Sequence, residues 1–462
     1  MNLTPEQQAI LNGEKGEVLA KVMKTLVMYG DAFGAEKLVP VTSKYGHTVI
    51  SFGINTMKPV YDLYDQLLAS GVKFQQKFTA DPLPLDPNVP SNLLQDLVFK
   101  QFMYKLQPRY EEQLRRMGMK QVRVEDRRVF FEGDFAAMAK ANLFLRMGER
   151  VMILLSEFDA HSFEDLFQGV KATPLERFIP KDGAFPVKGY SLNSQLHSVP
   201  DCQAIVKKAA VTRLGEKYGL GWMPETGETY QLRFSIMKDH VELFLDTSGV
   251  SLHKRGYRRE ANLAPLHETM AAAMVNLARY RGRDFFWDPF CGSGTICIEA
   301  AMIALNRAPG LNRSFMAQKW SCVPETIWQQ ARTEALDREY RGEYHILGSD
   351  IDPASLEIAQ QNARKAGVGK LIEFREADAT KMSLPTDKGL LVCNPPYGER
   401  MLEQRSAQRL YGAFGRHLKY ADGWKKYIIS SEPEFEHYFG RQAVKKRKLY
   451  NGRLQCNVYM YY

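Results

Sequence analysis

Residues Phe285–Ala304 read FFWDPFCGSGTICIEAAMIA, a short apolar strand that runs through a glycine turn into a helix. Gly292 and Gly294 permit a tight turn and a close approach of backbone amides to a ligand, and the helix that begins near Gly294 directs its positive end to the same place. Alone, a GxG turn discriminates little. A dinucleotide-binding turn would carry a third glycine at position 297 and a carboxylate about 20 residues further on. This chain has Cys297, and its next acidic strand end is Asp350 in HILGSDID, beyond an insertion containing APGLNRSFMAQKW. That spacing counts against a dehydrogenase. From Pro265 onward helices and strands alternate, which predicts an α/β domain with a doubly wound, Rossmann-like sheet.

Two more strand ends follow. LIEF leads into READAT with Asp378, and LVC leads into NPPYGER with Asn394, Pro395, Pro396 and Tyr397. Ligands of open α/β sheets bind at the carboxyl ends of strands. A turn of glycines, a carboxylate for ribose hydroxyls (Asp350) and an acceptor for an adenine amine (Asp378) suit S-adenosylmethionine. Taken singly, each carboxylate reads as a helix cap or a turn residue; the order of the strand ends favours a site. An exocyclic amine on a base is a poor nucleophile because its lone pair is delocalised into the ring. The Asn394 carboxamide oxygen and the Pro395 carbonyl can both accept from such an NH₂ and aim its nitrogen at a sulfonium methyl. Tyr397 can stack on an unstacked base, and the two prolines make the loop rigid. By itself the tetrapeptide also reads as a tight turn over a buried tyrosine.

The remaining composition bounds these readings. The chain has 462 residues, 45% hydrophobic and 25% charged, enough for several domains with real cores. No apolar run reaches the roughly 20 residues of a bilayer span, and the start lacks a signal-peptide layout, so a cytoplasmic protein without membrane contact is expected. The six cysteines are scattered, with no CxxC and no Cys/His zinc spacing, so reduced thiols and no metal are expected. A net charge of +9 suits a polyanionic partner. The runs His253-Lys254-Arg255 with Arg258-Arg259, and Lys445 to Lys448, read either as part of such a surface or as solvated faces.

At the N-terminus, Thr4-Pro5-Glu6-Gln7 opens a helix, helical spacing recurs from Glu17 to Phe33 and in KPVYDLYDQLLASG, and LVPVTSKYGHTVISFG reads as strand, loop, strand. ADPLPLDPNVP carries four prolines and is a turn or linker, after which Ser91 caps a new helix. Next, YEEQLRRMGMKQVRVEDRRVFFEGD passes from helix to a strand pair turning at Glu125-Asp126. YQLRFSIMKDHVELFLDTSG alternates as a hairpin turning at Lys238-Asp239.

From about Gly118 to Tyr462 the chain resembles the THUMP-domain class I RNA methyltransferases, near the bacterial large-subunit rRNA guanine-N2 methyltransferases. VFFEGD, FPVKGYSLNSQLHSVPDCQAIVKKAAV, LHKRGYRREANLAPLHETMAAAMV, DPFCGSGTICIEAAMIA, APGLNRSF, GSDIDP, NPPYGER and KLYNGRLQC carry the resemblance. It implies an α+β ferredoxin-like and THUMP region ahead of the catalytic sheet. It makes Asp288, Gly292, Gly294, Asp350 and Asp378 cofactor positions, and Asn394, Pro395, Pro396 and Tyr397 the target-amine motif. Lys188, Lys207 and Lys208 fall in the THUMP-like stretch and could meet phosphates, although a lysine pair on a helix is usually a solvated face. His267 stands where relatives often carry lysine. Residues 1–118 instead resemble the beginning of an aconitase-X-like hydro-lyase; Ser43, Lys44 and His47 lie in its most polar loop. The expected division is thus an N-terminal α/β fragment at 1–118, a partial ferredoxin-like region at 119–160, a THUMP RNA-binding domain at 161–250 and a methyltransferase domain at 251–462. The activity implied is methyl transfer to the exocyclic amine of an RNA base, guanine N2 in rRNA first. Protein glutamine methylation, and a hydro-lyase fragment or inert fusion, are the alternatives.

Overall fold

The structure is a computed structural model. It describes residues 39–42 and 48–51 and, from 113 onward, all residues except 116, 126–127, 259–265, 398–400 and 452–453. Of the helices expected before Gly118 only 113–115, which is helical, is described; the rest of them, the proline-rich linker, the loop with Ser43, Lys44 and His47, and positions 126–127 of the expected strand-pair turn lie outside the described residues. Two compact units divide the chain, Met1–Gln101 and Phe102–Tyr462. In the first, β1 (Val39–Thr42) and β2 (Thr48–Ser51) pair antiparallel, the two strands expected there.

In the second unit, after the helical residues 113–115, come an antiparallel pair, β3 (Lys120–Glu125) and β4 (Arg128–Glu132), and then α1 (Phe135–Phe144). The Asp134 side chain starts α1 by accepting from the Ala137 amide at 2.9 Å. Next come β5 (Met152–Asp159), α2 (Phe163–Ala172), β6 (Val187–Leu192), α3 (Val199–Tyr218), β7 (Leu232–Met237) and β8 (His240–Asp246). These four strands form one sheet in the order β5-β8-β7-β6, with only β6 and β7 parallel. The β7–β8 hairpin turns where expected, with Lys238 and Asp239 both at positive φ (53° and 64°), the pair of left-handed residues a tight two-residue turn requires.

The C-terminal half holds α4 (Glu268–Leu277), β9 (Phe286–Asp288), α5 (Thr295–Ala304), α6 (Glu325–Asp337), β10 (Ile346–Asp350), α7 (Pro353–Lys365), β11 (Ile372–Glu376) and β12 (Gly389–Cys393). It closes with α8 (Met401–His417), β13 (Trp424–Ser430), α9 (Phe435–Phe439), β14 (Lys445–Asn451) and β15 (Leu454–Tyr461). Its seven strands lie in the order β11-β10-β9-β12-β13-β15-β14; all run in one direction except β15, which pairs antiparallel with both β13 and β14. Alternation along the strands explains why both faces are covered. Phe286, Leu390 and Val392 join the core of α4, α5 and α7, while Trp287, Leu391 and Cys393 join that of α8 and α9. The strand order reverses direction between β9 and β12, so the ligand crevice of this sheet lies at that switch point.

The insertion between α5 and β10 belongs to neither helical layer. Phe315, Ala317, Trp320 and Trp328 enter the core built by α1 to α3 and the β5-β8-β7-β6 sheet instead. Trp320 stacks on Tyr230 at 5.1 Å and donates its indole N–H to the Thr229 carbonyl at 2.9 Å; Phe315 stacks on Trp328 at 5.2 Å. A second tie is the buried Arg255 guanidinium. It donates to the carbonyls of Leu252 (2.9 Å), Leu145 (3.4 Å) and Arg146, and to Glu299 of α5 (3.3 Å). A buried pair of this kind is costly to break from one side, because the surviving charge keeps its desolvation cost without its partner. Glu299→Met should therefore lower stability by roughly 3–5 kcal/mol. The double variant Arg255→Met/Glu299→Met should lose at least about 1 kcal/mol less than the two single losses summed. Urea unfolding monitored by tryptophan fluorescence measures both, and strictly additive losses would show that the two charges do not act as a pair.

Candidate functional site: four strand ends at the switch point

Strand register builds the site. Asp288 pairs with Gly348 of β10, and Trp287 with Leu391 of β12. Asp288 is therefore level with Gly348 and Val392, and Asp350 and Asn394 each lie two positions beyond it on the flanking strands. Asp288 ends β9 with only 1% of its surface exposed. One of its carboxylate oxygens accepts from the Phe290 amide at 3.1 Å; the other is buried with no partner among the described residues. Burial, with Asp350 nearby, pushes its carboxyl well above the usual carboxylate range.

The glycine turn follows immediately. Gly292 has φ +49° and would leave a Cβ in open space, whereas Gly294, at φ +82°, sits 3.0 Å from the Ala359 side chain where its Cβ would stand. Gly294 is the residue from which α5 starts. Asp350 locks the turn from the next strand: one carboxylate oxygen accepts from the Gly292 amide at 2.8 Å and the other from Asp352 at 3.0 Å. Asp352, which also reads as acidic in GSDIDP, is spent on capping α7 through the amides of Ala354 and Ser355. Asp378 follows β11. Thr380 bonds to it through both amide (2.9 Å) and hydroxyl (2.6 Å) and Lys381 pairs with it at 3.0 Å; these contacts hold its carboxyl down to about 2.

Beyond β12, Pro395 is buried and Pro396 exposed. The Tyr411 hydroxyl of α8 donates to the Pro396 carbonyl at 2.7 Å and so anchors the loop from below. The Tyr397 hydroxyl donates to the Asn394 carboxamide oxygen. That bond fixes which way the amide faces and occupies one of the oxygen's two lone pairs, leaving the second for another donor. The Tyr397 ring packs against the core, and burial raises its phenol well above its usual range.

A ligand with a cationic amino-acid head, vicinal hydroxyls and an adenine suits this donor set. An orphaned buried carboxylate oxygen, an open glycine turn at a helix N-terminus and two ionisable acceptors on adjacent strand ends match it group by group.

The lysines divide. Lys188 on β6 and Lys208 on α3 are exposed. Lys207 is not a free cation: its ammonium pairs with Glu225 at 2.5 Å, donates to the Phe185 carbonyl at 3.1 Å and sits 3.6 Å over the Phe185 ring. The structure thus corrects the phosphate reading of Lys207, since its charge is already satisfied inside the THUMP region. Likewise Arg255 and Arg258 turn inward, Arg258 donating to the Thr295 hydroxyl and lying 3.7 Å from Glu268, while Lys445, Lys446 and Lys448 are exposed on the edge strand β14. Arg258, Thr295 and Tyr411 shape the site without having been singled out for it; none lies in a spacing that marks it, because each acts through a contact made only on folding.

Comparison with known proteins gives the frame. Residues 255–460 match the RMKL-like methyltransferase domain, 160–246 the THUMP domain, 108–152 the RlmL ferredoxin-like domain and 1–123 the first domain of aconitase X. The chain is 43% identical over 343 residues, 74% of its own length and 89% of the relative's, to "Putative RNA methyltransferase YpsC" of Bacillus subtilis. It is 35% identical over 361 residues to "Ribosomal RNA large subunit methyltransferase K/L" of Psychromonas ingrahamii, covering 76% of this chain and 48%, about half, of that protein. Among solved structures, "a predicted N6-adenine-specific DNA methylase" from Listeria monocytogenes is 45% identical with a TM-score of 0.73, over 77% of this chain and 93% of that one. SMU.472, described as "a putative methyltransferase complexed with SAH", is 39% identical with a TM-score of 0.72, over 77% and 95%. By this similarity and its domain order, the chain belongs to the THUMP-domain RNA methyltransferases, whose catalytic part is an S-adenosylmethionine-dependent, RMKL-like domain.

Proposed function

We propose that the protein methylates the exocyclic amine of an RNA base, guanine N2 in large-subunit rRNA. The observation that carries this is the placement of Asn394, with its carboxamide oriented by Tyr397, on the strand next to the orphaned Asp288 and across the switch point from Asp350. S-adenosylmethionine supplies an electrophilic methyl on a sulfonium. The chain's own residues do the rest. Asp288 and the glycine turn would receive the charged head, Asp350 the ribose hydroxyls and Asp378 the adenine amine. The free lone pair of Asn394 and the Pro395 carbonyl would accept from the target NH₂ and orient it. This is positioning and electrostatic stabilisation, with the proton leaving after the nitrogen has become cationic. Tyr397 would have to present its ring to the incoming base. The name of the ribosomal relative supports rRNA as the substrate, and a cytoplasmic site of action accords with that. Among the described residues no helix is long and apolar enough to cross a membrane. We assign RNA contact to the ferredoxin-like (119–160) and THUMP (161–250) regions, with Lys188 and Lys208 as phosphate contacts, and chemistry to 251–462. The aconitase-X-like 1–118 is assigned no catalytic part.

Methyl transfer from labelled S-adenosylmethionine to undermethylated 23S rRNA, followed by digestion and nucleoside separation, tests the acceptor. Label is expected in N2-methylguanosine. Label confined to N6-methyladenosine, or no label in any nucleoside, would overturn the guanine assignment.

Asp288 generates a pH dependence with a definite sign. Its free carboxyl has a raised pKa, and a cationic ligand head beside it favours the ionised form, so binding releases a proton. Affinity for S-adenosylmethionine should rise with pH until it passes the raised pKa and then level, and Asp288→Asn should flatten the profile. Calorimetric titration across neutral pH measures this; a wild-type profile as flat as the variant's would remove Asp288 from the head-group site.

A further inference from the structure

Outside the methyl-transfer site, the fold brings together three potential metal ligands that are far apart in sequence. Glu149 lies between α1 and β5, His253 follows β8, and His267 immediately precedes α4. One ligand atom from each lies within 4.8 Å of the others. The His253 ring nitrogen Nδ1 stands 2.9 Å from one Glu149 oxygen, and the Thr269 hydroxyl donates to the other at 2.7 Å. The two imidazoles lie face to face, with centroids 4.4 Å apart and 24° between planes.

Local backbone holds each ligand in place. The Leu252 amide donates to the Glu149 carbonyl at 2.9 Å, and Arg313 clamps the His253 loop through the carbonyls of Ser251 (2.7 Å) and Lys254 (2.9 Å). His267 occupies the N-cap of α4, yet its side chain makes no capping bond, and among the described residues its ring has no hydrogen-bond partner. Among the described residues, neither helix capping nor an ion pair accounts for the His267 ring, which stacks on an imidazole that already meets a carboxylate.

We propose that Glu149, His253 and His267 bind a divalent transition cation, zinc foremost, with water in the fourth position. Two imidazoles and a carboxylate are the donors such ions take, at about 2.0–2.2 Å each. Tetrahedral coordination separates a nitrogen and an oxygen ligand by roughly 3.3 Å, so the 2.9 Å pair of His253 and Glu149 need open by only a few tenths of an ångström. A metal lies in the plane of each imidazole that binds it, so the His267 ring must also turn out of its stack on His253 to bring its nitrogen, now within 4.8 Å of the other ligand atoms, to the same ion. Thr269 supplies the hydrogen bond that orients a ligating carboxylate. The ion would tie the connection ahead of β5 to the start of α4. There Glu268, next to His267, meets Arg258, which in turn holds Thr295 at the head of the glycine-turn helix. The structure thus offers a clip between the RNA-binding region and the catalytic domain that cysteine and histidine spacing along the chain could not suggest.

The test is titration of the metal-stripped full-length chain with zinc chloride by calorimetry and with cobalt chloride by visible absorption. One equivalent should bind, with the cobalt spectrum of a tetrahedral ion in nitrogen and oxygen ligands. His267→Gln, compared with wild type at matched thermal stability of the metal-free proteins, should weaken zinc binding more than about 100-fold, and Thr269→Val about 10–100-fold. No saturable binding, a thiolate-to-cobalt charge-transfer band, or zinc binding unchanged in His267→Gln would each overturn the proposal. A cluster serving only as a histidine–carboxylate hydrogen bond with a stacked neighbour gives the first of those results.

Discussion

Parallel register is the constraint on which the rest of the catalytic half depends. Because β10 and β12 flank β9 in register, the residues after each strand emerge on one edge, and a single hydrogen bond from the Gly292 amide to Asp350 ties the first loop to the second. Shifting any of these strands by one residue would exchange its buried faces and move its terminal side chain away from the crevice. The apolar alternation of Leu390 to Cys393 between two helical layers therefore fixes where Asn394 stands as firmly as any contact Asn394 makes itself.

The same economy joins recognition to chemistry. Arg255 gathers the Leu145 and Arg146 carbonyls from the ferredoxin-like region and a carboxylate from α5, the helix that begins at the glycine turn. The tryptophan-rich insertion leaves the catalytic sheet and completes the core beneath the THUMP region. Both links set how the ferredoxin-like and THUMP region is held against the catalytic sheet, which under the proposed function is the distance between RNA binding and methyl transfer. A buried guanidinium with four acceptors is well suited to that task, since its planar fork satisfies several fixed groups without adjustment.

Much of this was legible along the chain. Strand-turn-helix order, the glycine turn and the strand-final Asp350, Asp378 and Asn394 all depend on local pattern, and the structure sets them on one sheet edge. What escaped depends on contacts between distant segments. Basic runs such as HKRGYRR look like a surface for polyanions, but Arg255 and Arg258 are drawn inward by Glu299 and Glu268, which nothing nearby in sequence announces. Lys207 and Lys208 are adjacent and read alike; the helix turns one inward to Glu225 and Phe185 and leaves the other in water. The Tyr397 to Asn394 hydrogen bond, through which the tyrosine orients the carboxamide, also lies beyond pattern.

The division of labour between strand ends that hold the cofactor and the one that orients the amine is the central claim, and Asn394→Ala tests it most directly. S-adenosylmethionine affinity by calorimetry and single-turnover methyl transfer would be measured on the same preparation. The account predicts affinity within about twofold of wild type and methyl transfer slowed by roughly 10²–10³. Methyl transfer at the wild-type rate, or a loss of cofactor affinity that accounts for the whole decrease, would contradict it.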